Sequence, residues 1–120
     1  MKPLAKRDLA ILRQRKEFLA VAHKGKKWAT PGLILQMGAD RQNTPARYGL
    51  TASSKIGGAV VRNRARRRLR ALATQILPLH AAAGYDYVLI ARATTPQRKF
   101  EELKQDLITA LKKLGAWQNR

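Results

Sequence analysis

Between residues 61 and 76 the sequence is VRNRARRRLRALATQI. Its apolar residues are spaced by four, four, three and four positions: Val61, Ala65, Leu69, Leu72 and Ile76. Because a helix turns by about 100° per residue, they fall within a stripe about 80° wide. The spacing predicts a helix from about Ala59 to Leu77, stopped by Pro78, that docks along this stripe.

The remaining surface of this predicted helix is covered by arginine. Six arginines lie between residues 62 and 70, of which Arg68 borders the apolar stripe. Arginines four positions apart each oppose helix formation by roughly 0.2–0.5 kcal/mol, and no acidic residue lies between Asp40 and Asp86. A solvated helix surface would mix acidic with basic side chains. Guanidinium groups can instead bridge phosphate oxygens and stack on bases, so the pattern predicts a nucleic-acid-binding surface.

Composition narrows the class of protein further. The chain has 120 residues, with 25 basic and 7 acidic side chains and a formal net charge of +18. Its length suits one domain, over residues 1–120, and its charge requires a polyanion, either nucleic acid or an anionic membrane surface. No apolar run approaches the roughly 20 residues that span a bilayer, and the N-terminus lacks a secretory signal, so we expect a cytoplasmic location.

The sequence also excludes several kinds of site. It contains no cysteine, which excludes disulfides, thiolate chemistry and cysteine-ligated zinc. Its two histidines, His23 and His80, lie far apart with no acidic cluster beside either. Both are expected to be ordinary surface residues. The sequence contains no pair of carboxylates near a histidine and no nucleophile beside a base, so nothing in it indicates a catalytic site.

The first half of the chain predicts a basic strap, a helix and two strands. Residues 1–15 form the strap, and a helix is expected from about Lys16 to His23, ended by Gly25. Apolar runs predict strands at Leu33–Met37 and Arg47–Ala52, paired as a hairpin with a long tip. Residues 26–30 are expected to extend the first of these strands.

The second half predicts a strand and a helix. Residues 85–92 alternate apolar positions and predict a strand. Apolar residues then recur at steps of three and four from Phe100 to Leu114, which predicts a helix closed by Gly115, with residues 116–120 as a loose tail. The order predicts an α+β fold with about three helices on a small sheet. A DNA-reading helix would sit beside a dimerising zipper or in a helical domain, so this context favours RNA.

Residues 48–67, YGLTASSKIGGAVVRNRARR, resemble the signature of the bacterial ribonuclease P protein family. In that family a strand ending in Ser and Lys leads through a Gly-x-Ala-Val turn into a helix that opens with Arg-Asn-Arg. The likeness extends over roughly residues 12–114. Three positions depart from the pattern: Ser54 replaces a frequent lysine, Gly58 a common asparagine, and Ala22 a frequent aromatic residue.

The resemblance implies a fold and a division of labour. The fold would be a single compact α/β sandwich with a four-stranded sheet and a left-handed β-α-β crossover, against the usual preference. The RNA subunit would be the catalyst, with Mg²⁺ bound mainly by that RNA. The protein would be the accessory subunit of an endoribonuclease that removes the 5′ leader from precursor tRNA. No membrane or protein partner is implied.

Two binding surfaces follow from the same resemblance. The first would bind the catalytic RNA through phosphate and ribose contacts, and consists of Lys55, Arg62, Asn63, Arg64, Arg66, Arg67 and Arg70. The second is a cleft between the first helix and the sheet, near Leu33, Leu35 and Met37, that would receive the single-stranded leader. Its expected residues are Phe18, Arg13, Arg15, Lys16 and Trp28, although Phe18 could equally be core and Trp28 edge packing.

Three other functions fit parts of the sequence. A general ribosomal RNA-binding protein would explain the charge and the missing active site equally well. A metal-dependent nuclease acting alone is disfavoured by the scatter of the 7 acidic residues. A DNA-binding regulator lacks a dimerisation element.

Overall fold

The computed structural model describes residues 9–38, 41 and 44–119. Within these ranges five strands and three helices follow one another, which confirms the predicted α+β fold class. The elements are β1 (Ala10–Ile11), α1 (Arg15–Lys24), β2 (Lys26–Ala29), β3 (Leu33–Gly38), β4 (Arg47–Thr51), α2 (Ala59–His80), β5 (Asp86–Ala91) and α3 (Phe100–Lys113). Residues 1–8 of the predicted strap lie outside the described residues.

The sheet has the strand order β1-β4-β5-β3-β2. The predicted hairpin of residues 33–37 with 47–52 is wrong, because β5 lies between the two strands, antiparallel to β3 and parallel to β4. β5 is the most completely buried strand, so its apolar side chains are best accommodated at the centre of the sheet. The hairpin that does form joins β2 to β3, so residues 26–29 are a separate edge strand.

The sheet has one strand more than the four expected. The additional strand, β1, is a two-residue segment that pairs in parallel with β4, where Ala10 is opposite Arg47 and Ile11 opposite Tyr48. It comes from the segment expected to be a strap. β4 and β5 are connected through α2, which gives the β-α-β unit that the resemblance implies; its handedness stays a prediction.

The two faces of the sheet differ in what covers them. The covered face carries Leu33, Leu35 and Leu89, all 0% exposed, and packs against α2 and α3. The open face carries Ile34, Gln36, Gly49, Thr51 and Ile90, and among the described residues Leu12 and α1 lie against part of it. The side chains of Leu33, Leu35 and Met37, near which the leader cleft was expected, are therefore on the covered face and cannot line it. In an alternating strand the intervening positions, Ile34 and Gln36, take the open face.

Gly25 follows α1 as predicted, but for a different reason. Its φ is −87°, so no left-handed conformation demands glycine. A Cβ on Gly25 would instead lie 2.4 Å from the carbonyl oxygens of Val21 and Met37. The end of α1 therefore lies directly against the end of β3, and only glycine permits that approach.

Pro78 does not stop α2. The helix continues to His80, and the Ala81 N–H donates to the Leu77 carbonyl at its end. Because Pro78 lies in the last turn, its missing N–H removes one helical hydrogen bond there and its ring packs into the core. The end of α3 is as predicted: Gly115 adopts a φ of 76° and the Ala116 N–H donates to Leu111, as in a Schellman motif.

The residues after α3 pack against the end of α2, although the sequence predicts a loose tail over 116–120. Ala116 is fully buried. The Trp117 ring stacks on His80 with ring centroids 4.2 Å apart, and the Gln118 N–H donates to the His80 carbonyl at 2.6 Å. His80 is thus held in a packed contact, and residues 116–118 belong to the folded unit.

A buried carboxylate ties the strands to α1. Asp86, whose side chain is 3% exposed, accepts two hydrogen bonds from Arg47, at 2.9 and 2.8 Å, and one from Arg41 at 2.8 Å. Arg47 also donates to Glu17 at 2.6 Å. The backbone N–H groups of Gln14 and Arg13, followed by the charge of Arg47, lower the pKa of Glu17. The Glu17 carboxylate therefore stays ionised to lower pH than a free glutamate side chain.

We predict that Asp86→Ala lowers the free energy of unfolding by about 2–4 kcal/mol. The substitution removes a buried acceptor from two arginines, and the cost is reduced because both arginines keep partial contact with water. The measurement is the urea midpoint of the free protein. Glu101→Ala is the matched control, since it also removes one negative charge but from an 83% exposed side chain, and it should shift stability by less than about 0.5 kcal/mol. Equal losses for both variants would show that net charge, and not the Asp86 cluster, is responsible.

Candidate RNA interface

The apolar stripe of α2 is buried as the sequence predicts, which fixes the orientation of its arginines. Ala65, Leu69 and Leu72 are 0% exposed, and only Val61 at the start of the stripe is partly exposed. The opposite surface, here called the arginine face, consists of Arg62, Asn63, Arg64, Arg66, Arg67 and Arg70. Four of these six residues are exposed and two are partly buried. The structure thus brings together the whole α2 part of the predicted RNA-binding set.

Arg68 has a different role from its neighbours. Its guanidinium donates to the carbonyl oxygen of Thr95 at 2.6 Å and to that of Arg98. Burial, and then the charge of Arg64, lower the pKa of Arg68. This side chain therefore fixes the connection between β5 and α3 to α2, in agreement with its place beside the apolar stripe.

Several side chains of the arginine face are oriented by the protein itself. Arg64 donates through Nε to the Pro96 carbonyl at 2.8 Å. Arg66 makes two long contacts, from Nη1 to the Asn63 side-chain oxygen at 3.4 Å and from Nη2 to the Ala52 carbonyl at 3.5 Å. Each of these arginines keeps further N–H donors for a ligand.

The surface of α2 is concave where the arginines meet its first turn. We call this concavity the arginine hollow; it is lined by Val60, Asn63, Arg66, Arg67 and Arg70. Val60 is the only apolar member of this lining. A concave surface lined mainly by guanidinium groups is suited to hold phosphate and ribose groups of a nucleic acid.

Lys55 precedes this surface on a short 3₁₀ turn, Ser54–Ile56. The Ser53 hydroxyl oxygen accepts from the Lys55 N–H at 3.3 Å, and the Lys55 side chain is exposed. The turn ends at Gly57, whose φ of 146° strongly favours glycine. A Cβ at Gly57 would also lie 2.9 Å from the Val61 side chain. The Lys-x-Gly spacing therefore reflects the local backbone: Lys55 lies on the turn, and Gly57 allows the chain to enter α2.

A second concavity, the Phe18 groove, lies between α1 and the end of β4. Its lining residues are Arg15, Phe18, Leu19, Leu50, Thr51, Ala52 and Arg66. The Phe18 ring lies directly over Gly49, where a Cβ would come within 2.5 Å of the ring. Phe18 is therefore both a packing residue of the open face and a partly exposed wall of the groove.

The other residues predicted for the leader are not all at this groove. Arg15 lines it, while Arg13 and Lys16 are exposed on and beside the start of α1. Trp28 pairs with Leu35, which places its side chain on the covered face, and the Lys113 ammonium lies 5.4 Å from its ring centre. The structure therefore does not bring Trp28 together with Phe18.

Sequence reasoning missed the wall of the Phe18 groove that comes from β4 and α2. Leu50 and Thr51 belong to the quoted signature but carry no pattern of their own that indicates binding. Gly49 was the available signal, since a glycine inside a strand often marks the close approach of another group. Arg66 was assigned to one surface only, whereas it lines both concavities.

Three of the described carboxylates bind arginines within the fold, and none lies on the arginine face. Asp86 and Glu17 bind Arg47, and Asp106 accepts from Arg98 at 2.7 Å. In the part of the chain that the structure describes, no group of three or more His, Asp or Glu side chains could hold a metal ion. None of its helices combines the length and apolarity needed to span a bilayer.

The comparisons with known proteins agree with one another. The family model described as Ribonuclease P matches residues 7–115. The ribonuclease P protein component of Paramagnetospirillum magneticum is 51% identical over 111 residues, covering 89% of this chain and 84% of the relative. That of Bacillus cereus (strain B4264) is 38% identical over 105 residues, covering 87% and 90%. These relatives favour ribonuclease P over the alternative of a general ribosomal RNA-binding protein.

Solved structures show the same fold at lower sequence identity. The chain matches the structure of Staphylococcus aureus RNase P protein with a TM-score of 0.75 and 21% identity, covering 90% of this chain and 97% of that one. For RNase P protein from Thermotoga maritima the TM-score is 0.67 at 23% identity, with 86% and 93% covered. The α+β fold, the sequence relatives and the family model lead to one conclusion. The chain belongs to the family of ribonuclease P protein components.

Proposed function

We propose that this chain binds the catalytic RNA of ribonuclease P with Lys55 and the arginine face, and holds the 5′ leader of precursor tRNA in the Phe18 groove. In this proposal the protein raises substrate affinity and supports cleavage, while the RNA subunit carries out the phosphodiester hydrolysis in the cytoplasm. The Mg²⁺ ions required for that step are bound mainly by RNA.

One observation carries the assignment of the arginine face. The apolar stripe of α2 is buried from Ala65 to Ile76, and no acidic residue lies anywhere along the helix. An isolated protein gains nothing from such a surface, because each like-charged pair opposes the helix. A phosphate backbone reverses the sign of that interaction and releases counter-ions as it binds.

The distribution of carboxylates supports a catalyst that is not the protein. Glu17, Asp86 and Asp106 are each engaged by an arginine inside the fold. The two other described acidic residues, Glu101 and Glu102, lie in the first turn of α3. Cleavage by two metal ions requires carboxylates gathered at one point, and these are dispersed.

The assignment of the Phe18 groove depends on the position of one ring. Phe18 lies against the Gly49 backbone and remains partly exposed toward the groove. Arg15 and Arg66 flank it and can neutralise phosphates of a strand that lies along the groove. Stacking of one base on an aromatic ring contributes about 1–3 kcal/mol and tolerates any sequence, as a leader of variable sequence requires.

The direct test is reconstitution of the holoenzyme. The purified chain is mixed with bacterial ribonuclease P RNA and a precursor tRNA at low Mg²⁺ concentration. We expect the chain to raise the cleavage rate and the affinity for the precursor. Unchanged rate and affinity would contradict the proposal, and cleavage by the chain without RNA would move the chemistry back to the protein.

We predict that Arg70→Ala weakens binding to the RNA subunit roughly three- to tenfold at about 0.1 M monovalent salt. It should also reduce the slope of log affinity against log salt by about 0.7–0.9, because one phosphate contact is lost. The measurement is a filter-binding titration at several salt concentrations. Lys112→Ala removes the same charge from the end of α3 beside Trp117, and should leave the slope near that of the parent. A slope unchanged by Arg70→Ala would remove Arg70 from the interface.

We predict that Phe18→Leu weakens binding of leader-bearing precursor by roughly 5- to 30-fold, or about 1–2 kcal/mol. Leucine keeps apolar cover over Gly49 but removes the flat ring on which a base can stack. Affinity for mature tRNA should not change. Phe100→Leu, an aromatic substitution on α3, is the control and should affect neither ligand. An equal loss of precursor and mature tRNA would assign Phe18 to packing alone.

A further inference from the structure

The arginine hollow contains one apolar side chain, Val60, whose presence the binding of phosphates by the arginines does not explain. Val60 is 83% exposed, the most exposed of the large apolar side chains in the described residues. A single exposed valine on a protein surface needs no explanation. This one lies in a concavity whose other lining residues are Asn63, Arg66, Arg67 and Arg70.

Neither the helix nor the core accounts for valine at this position. Val60 is the second residue of α2, where a β-branched side chain is a poorer helix former than alanine and an acidic residue would favour the helix dipole. The apolar stripe that docks α2 begins one residue later, at Val61. Val60 also has no place in either apolar core cluster of the described residues. The folded protein therefore does not use the isopropyl group of Val60.

The surroundings of Val60 leave room for a partner to approach closely. Gly58, two residues earlier, would have no atom within 4 Å of an added Cβ. Its φ of −75° is open to any residue, so the free protein does not need glycine there. Positions 60, 63, 67 and 70 recur along one side of the helix. A flat group lying on Val60 would therefore have Asn63 about one turn away, and Arg67 and Arg70 about two and nearly three turns further along the helix.

We propose that Val60 is the apolar seat for one unpaired nucleobase of the RNA subunit, with the adjoining phosphates on Arg67 and Arg70. This inference rests on the proposed function of the arginine face. It adds how that face would distinguish an unstacked nucleotide from the stacked nucleotides of an RNA helix. The Asn63 side-chain oxygen accepts from Arg66 at 3.4 Å, and its amide nitrogen offers two N–H donors to the base edge. In A-form helices the base faces are stacked and not available to such a contact.

The first experiment separates apolar contact from charge. Val60→Ala removes two methyl groups and no charge, so RNA-subunit affinity should fall about three- to tenfold while the salt slope stays that of the parent. Alanine is the better helix former, so the urea midpoint of the free protein should be unchanged or higher, which excludes unfolding as the cause. Leu79→Ala is the matched control, because it truncates a 50% exposed apolar residue at the other end of α2; it should leave affinity unchanged.

The outcomes distinguish this inference from the function on which it rests. Normal affinity for Val60→Ala together with weakened binding by Arg70→Ala would overturn the proposed base contact at Val60, while the proposed RNA-binding role of the arginine face would stand. A salt slope altered by Val60→Ala as much as by Arg70→Ala would also overturn the base contact, since the effect would then act through phosphates. Normal affinity and slope for Arg70→Ala would instead count against the proposed function.

A second experiment locates the base directly. The chain contains no cysteine, so Val60→Cys provides a unique thiol for a short photoactivatable azidophenacyl group. In the complex with the RNA subunit we expect one dominant cross-link, to a nucleotide outside the RNA helices. Leu79→Cys, carrying the same group, should give no dominant cross-link. Cross-links from position 60 confined to base-paired nucleotides would overturn the proposal.

Discussion

The fold depends on the burial of a narrow apolar stripe beneath an arginine-covered helix. Full burial of each leucine of the stripe, Leu69 and Leu72, contributes about 1.5–3 kcal/mol. Repulsion between arginines one turn apart costs only about 0.2–0.5 kcal/mol per pair, so burial outweighs it. Since α2 is also the connection between the parallel strands β4 and β5, the same contact fixes the centre of the sheet. An arginine surface of this density is thus compatible with a folded helix because its docking stripe is uninterrupted.

The charged residues of the chain have two separate roles: some form ion pairs within the fold, and others form a surface without compensating charge. Three acidic residues, Glu17, Asp86 and Asp106, neutralise arginines within the fold, and Arg68 is satisfied by carbonyl oxygens of the connection before α3. The other arginines of α2, apart from Arg68, have no carboxylate on their own helix. A protein with a net charge of +18 can therefore hold its core together through internal ion pairs while leaving one surface uncompensated. That surface reaches its lowest free energy only when a polyanion covers it.

Local features of this fold could be predicted from the sequence, and long-range ones could not. The periodicities of residues 61–76 and 100–114 gave α2 and α3, because one buried side leaves a direct mark on spacing. The partner of each strand leaves no such mark: β5 lies between β3 and β4 although some fifty residues separate it from β3 along the chain. For the same reason the sequence could not predict which side of the sheet Trp28 occupies. Its side of the sheet follows from its pairing with Leu35, and a shift of one residue would reverse it.

The candidate RNA-binding residues and their two surfaces could be predicted from the sequence and the resemblance, but the position of Arg66 on both surfaces could not. Arg66 lines both the arginine hollow and the Phe18 groove, and its long contacts to Asn63 and the Ala52 carbonyl hold it between them. In the proposed function, removing Arg66 would therefore weaken the binding of the RNA subunit and of the leader together, and the two losses would not add independently. Arg70 lines only the first concavity and Phe18 only the second, so each reports on a single ligand. Because Arg66 lines both concavities, the proposed function places the leader and the RNA subunit side by side at the junction of β4 with α2. In that proposal the geometry of one short segment of chain holds the substrate against the RNA.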